Sequence, residues 1–209
     1  MLLTRRLTRE LTGGYSIVAE RRFRIRFSAA NGGFRVDGSQ VASSVKAPPN
    51  LAEFARLEQQ RVEIGLFPLE LDRQGIIRSG GAKTSHDSLR RAVELALAEV
   101  KQMRLSAQDK DEARAFLLGL ERAAGRIASE PPVDLFTPPP LATPATHRVA
   151  LPNGLSGSIT TQFSGSVRPE TGLLDQAERI VLTGMDGTMR RTVEHWSMAA
   201  LQDQATSVR

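Results

Sequence analysis

The segment Tyr15–Ser28, YSIVAERRFRIRFS, limits what this chain can become more than any other. Tyr15, Ile17 and Ala19, then Phe23, Ile25 and Phe27, share one parity, while Ser16, Glu20, Arg22, Arg24, Arg26 and Ser28 take the other. A period of two sends alternate side chains to opposite faces of a sheet, whereas helical spacing would scatter these aromatics around a cylinder. The segment reads as a strand with one apolar face and one wet, arginine-rich face.

Its neighbours supply partners. Before it, threonines alternate with Leu3, Leu7 and Leu11, a pleated pattern that Gly13-Gly14 would join to the Tyr15 strand as a hairpin. After it, Asn31-Gly32 provides the positive φ of a second hairpin, so strands are expected over 3–46. Phe34 and Val36 take one parity and Val41 and Val45 the other, which points to a bulge at Gly38. Pro48-Pro49 ends this run, and Asn50 with Glu53 three residues on has the form of a capping box opening a short helix over 51–62. Strands resume over 65–78, where Pro68 cannot donate to a ladder and implies an edge or a bulge.

The middle of the chain changes period. Leu89, Ala92, Val93, Ala96, Val100 and Met103, and then Ala113, Phe116, Leu117, Leu120, Ala124 and Ile127, repeat at helical spacing. A helical hairpin is predicted there, over 87–105 and 107–127. The segment 129–144 follows, with six prolines between Glu130 and Pro144; it is excluded from helix and central strand and reads as an extended crossing segment. From 147 to 198 the alternation returns, punctuated by Asn153-Gly154 and Asp186-Gly187, and predicts a β-meander. Neither flanking half has enough strands for comfort, so one domain over 1–209 is expected. The fold class is α+β: a curved antiparallel sheet of about eight strands from both ends of the chain, with the hairpin and one short helix packed on it.

Composition narrows the function classes. Absence of cysteine excludes disulfides, thiolate metal sites and a cysteine nucleophile. No window approaches the roughly 18 uninterrupted apolar residues of a membrane-spanning helix. The basic character is local: residues 1–61 hold eleven Lys or Arg against five acids, and the remainder 17 against 18. A reading frame continuing upstream of Met1 would fit an export signal and a place in the cell envelope or periplasm; otherwise the expectation is cytoplasmic.

No motif carries catalysis. His86, His147 and His195 are not at metal-ligand spacing, so no metal, cofactor or catalytic residue is assigned. Gly80-Gly81-Ala82-Lys83-Thr84 misses two glycines of a phosphate loop. His195 and Trp196, adjacent on a strand, are expected on opposite faces. Two candidate surfaces remain. Tyr15, Ile17, Phe23, Phe27, Phe163 and Trp196 would line an apolar cavity between sheet and helices, suited to a lipid or another apolar small molecule. Arg22, Arg24, Arg26 and Arg35 would form a face for an acidic protein or an anionic membrane surface. Nucleic acid fits poorly, because the aromatics lie on the face opposite the arginines. The expected function is a non-enzymatic binding, carrier or structural protein of the cell envelope, with an interaction module or a small enzyme built on His195 and an acid such as Glu70 or Asp72 as alternatives.

Overall fold

The structure, a computed structural model, describes residues 1–11, 13–30, 32–63, 65–80, 130–150, 156–185 and 188–201. Among the described residues nine strands form one antiparallel, unclosed sheet: β1 (Leu2–Glu10), β2 (Ser16–Ala30), β3 (Gly33–Lys46), β4 (Leu69–Leu71), β5 (Ile77–Gly80), β6 (Ala145–Ala150), β7 (Ser156–Val167), β8 (Leu174–Met185) and β9 (Thr188–Ala199). Their spatial order is β5-β4-β3-β2-β1-β9-β8-β7-β6. The two halves of the chain meet at β1, which pairs with β2 on one side and with β9 on the other. A single sheet completed by both ends follows. The predicted helical hairpin, 87–105 and 107–127, lies outside the described residues.

Local chemistry explains the hairpins. Gly13 and Gly14 have φ of 83° and 79°, and the Leu11 N–H donates to the Tyr15 carbonyl at 2.8 Å across that turn. Two successive positive φ values match the right-handed twist of the flanking strands. The parity switch in β3 is present but displaced: Phe23 faces Gln40 while Arg22 faces Ala42, so Val41 is the extra residue. Gly38 pairs regularly with Ile25, and it is glycine for another reason: a Cβ there would lie 2.6 Å from the Phe67 ring. Pro68 precedes β4 after a cis peptide bond, and β4 is an interior strand, paired with both β3 and β5.

The short helix is smaller than its pattern implied. A 3-10 turn, Pro49–Leu51, leads into α1 (Ala52–Gln60), and no side chain caps the helix start. Glu53 instead pairs with Arg56 at 2.5 Å. No residue of α1 is buried, because the helix meets the sheet through polar contacts rather than an apolar stripe.

The proline-rich segment reveals how far the sheet curls. On β5 the Ile77 N–H donates to the Val133 carbonyl at 2.7 Å, and on β8 the Leu174 N–H donates to the Phe136 carbonyl at 2.9 Å. Three residues reach about 11 Å at most. Across a flat sheet, six inter-strand steps would hold β5 and β8 about 29 Å apart. The sheet therefore bends around the segment, which plugs one end of its inner face. There Leu135 and Phe136 are fully buried with Leu3, Phe23, Ile25, Val36, Leu69, Trp196 and Met198, and Phe136 meets Phe27 edge-on at 5.2 Å. Beyond Phe136 the Pro139 carbonyl accepts from the Gly165 N–H at 2.8 Å, extending the pairing along β7.

Candidate functional site

Pairing register sorts every strand residue onto the inner or the outer face. On β1 the inner face carries Leu3, Arg5, Leu7 and Arg9; opposite them on β2 stand Phe23, Arg21, Ala19 and Ile17. On β9 the corresponding residues are Met198, Trp196, Glu194 and Thr192. Moving away from the plug, the inner face thus changes from apolar to ionic. Arg5, Arg21, Arg179 and Glu194 are all buried.

Glu194 is the centre of the first half of this network. Its Oε1 accepts from Arg5 Nε at 2.6 Å, and its Oε2 lies 2.5 Å from Arg179 Nη2. The Arg5 guanidinium also sits over the Trp196 ring at 5.1 Å, a cation–π contact. Arg179 Nη1 donates to the Glu130 carbonyl at 2.9 Å, which ties the proline-rich segment to β8. Burial alone would push the Glu194 carboxyl up, but Arg5 and Arg179 more than offset it and hold it below its ordinary value.

Glu58 of α1 is the centre of the second half. Its Oε1 accepts from Arg21 Nη2 at 2.7 Å and from Arg61 Nη2 at 2.9 Å. Glu63 links the halves loosely, 4.0 Å from Arg5 and 3.6 Å from Arg61. The Arg21–Glu58 pair docks α1 on the sheet. Arg9, at an exposed position on β1, reaches toward the same cluster: partial desolvation lowers its pKa, Glu58 opposes that, and Arg5, Arg61 and Arg21 lower it further. A guanidinium remains charged throughout the physiological range.

The outer face is different in kind. The row Glu20–Arg6–His195–Glu178–Ser164 crosses β2, β1, β9, β8 and β7 by direct pairing. With Thr4, Ser166, Gln176, Ser197 and Pro140 it bounds an open trough of about 690 Å3. His195 Nε2 stands 3.2 Å from Glu178 Oε2, with both side chains well exposed.

The predicted site residues fall on both faces. Phe23 and Trp196 are fully buried in the core, Phe27 and Phe163 pack partly buried against it, Ile17 is half-buried, and Tyr15 is exposed beside the first hairpin turn. Arg22, Arg24, Arg26 and Arg35 all lie on the outer face; Arg22 pairs with Glu20 at 3.0 Å, and Arg35 pairs with Asp37 at 3.0 Å and Glu70 at 2.9 Å. His195 and Trp196 do take opposite faces. Three strands separate His195 on β9 from Glu70 on β4, so that acid is not its partner. Sequence reading missed Arg5, Arg9, Arg21, Arg179 and Glu194. The signal was their parity, since each shares the apolar side of its strand with residues such as Leu3, Phe23, Ala177 or Trp196.

Among the described residues no three His, Asp or Glu side chains gather as a metal-ligand set, and no helix is long and apolar enough to cross a membrane. No protein-family model, curated protein or solved structure matches the chain.

Proposed function

We propose that this is a non-enzymatic binding or carrier protein that holds an apolar or amphipathic molecule inside its curled sheet, beyond the proline-rich plug. One observation carries the reading: the plug fills one end of the inner face, whereas past it Leu7, Ile17, Val181 and Phe163 remain only half-buried. A curled sheet with one stoppered end has the concave form that ligand sites favour, mostly apolar with a few placed polar groups. A carrier of this kind would suit the cell envelope, where apolar molecules cross aqueous space. An apolar dye that brightens in low-polarity surroundings tests the reading. The wild-type chain should take it up and release it to a competing fatty acid, and Ile17→Asp should abolish uptake while the fold persists. Failure of the wild-type chain to bind dye would end the proposal.

The outer trough favours a second reading, the docking of a polar partner along the Glu20–Arg6–His195–Glu178 row. His195→Ala would then weaken that association with no change in melting temperature and no change in dye uptake. Binding insensitive to both this substitution and salt would remove it.

A further inference from the structure

We infer that the inner-face arginine cluster around Arg5, Arg9, Arg21 and Arg61 is an anion site, taking the carboxylate or phosphate head group of an amphipathic ligand. This deepens the proposal above and rests on it for the ligand's tail. The inference starts from charge. Among the described residues the cluster holds five guanidinium groups, Arg5, Arg9, Arg21, Arg61 and Arg179, against the three carboxylates Glu58, Glu63 and Glu194.

The carboxylates are already shared. Glu194 divides its oxygens between Arg5 and Arg179, and Glu58 offers one oxygen to both Arg21 and Arg61. Arg9 forms no ion pair with a described residue, and Arg21, only 5% exposed, leaves its Nε without a hydrogen-bond partner. Arg5, Arg21 and Arg179 are buried, so the cluster's excess of positive charge sits at its solvent-reached members Arg9 and Arg61, where an anion can join it. A guanidinium presents two parallel N–H donors that match a carboxylate or phosphate edge, so Arg chemistry fits this role better than Lys would.

Placement supports the same conclusion. Leu7 lies between Arg5 and Arg9 on the inner face of β1, and Ile17 stands directly opposite Arg9 on β2. Half-buried aliphatic groups thus alternate with the cations, as a head group and the first methylenes of its tail require. Arg9 keeps solvent access, which leaves a way in for a charged group.

Titration calorimetry on the full chain tests this with four probes: laurate, dodecyl phosphate, dodecanol and inorganic phosphate. Laurate and dodecyl phosphate should bind at least about tenfold more tightly than dodecanol, the gain expected of one or two charge-assisted hydrogen bonds. Arg9→Gln, and independently Arg61→Gln, should erase that preference while dodecanol affinity and melting temperature stay as in wild type. Equal affinity for laurate and dodecanol would overturn the anion site but leave the carrier reading standing. Binding of inorganic phosphate alone, lost in Arg9→Gln, would keep the anion site and overturn the amphipathic ligand. If none of the four probes binds, both fall.

Discussion

Replacing Glu194 by Gln keeps the side-chain shape and removes one charge from between two buried guanidinium groups. The side chains of Arg5, Arg179 and Glu194 are 10%, 8% and 3% exposed, so solvent screens their interactions little. After the change the one carboxylate left near Arg5 is Glu63 at 4.0 Å, beside the Trp196 ring it stacks on, and Arg179 keeps the Glu130 carbonyl. Breaking a buried pair by removing one partner costs about 3–5 kcal/mol, chiefly because the remaining charge stays desolvated. For a chain of this size each kcal/mol moves the midpoint by about 2–4 °C, so the melting temperature should fall by about 6–20 °C. Urea unfolding of Glu194→Gln, Arg179→Met and the double variant closes a thermodynamic cycle. With Glu194 already gone, Arg179→Met should cost far less than in the wild-type background, or should stabilise. A loss below about 1 kcal/mol for Glu194→Gln, or strictly additive costs, would refute the buried network as the element that organises the inner face.

Other consequences follow from the same contacts. Phe136→Ala removes the fully buried ring of the plug and should cost about 3–5 kcal/mol in urea unfolding; a cost under about 1 kcal/mol would mean the segment is not part of the core. Gly38→Ala places a Cβ 2.6 Å from the Phe67 ring, and should lower stability by about 1–3 kcal/mol through overpacking, read as an earlier thermal midpoint. Glu194 and Glu58 have folded-state pKa values below their ordinary 4.5, because neighbouring arginines outweigh burial. Their charged forms therefore favour the fold: that contribution is complete above pH 4.5 and is lost as pH falls through the lowered values, so denaturant midpoints should hold steady from neutral pH down to about 5 and then drop.

Much of the sheet was legible because its signals are local. The period-two run of β2, the paired glycines at 13–14 and the parity switch in β3 each act within a few residues, and each has a counterpart in the structure. The bulge was misplaced by three residues because a glycine in a strand has two explanations, and here the Phe67 ring supplies the other one. The Asn50–Glu53 pattern formed no cap, since Glu53 has Arg56 within reach. The ionic interior was not legible. Arg5 and Glu194 are 189 residues apart in sequence, and nothing near either one announces the other. Arg21 stood at core parity between Ala19 and Phe23, but a lone arginine there reads as an exception until its partner Glu58, from α1, is placed above it.

Native mass spectrometry of the full chain, purified without detergent, is the sharpest test of the proposal that the curled sheet holds a ligand. A population heavier than the chain by the mass of an amphipathic anion should be present, lost on denaturation and recovered in an organic extract. A native mass equal to that of the bare chain, unchanged after incubation with laurate, would contradict it.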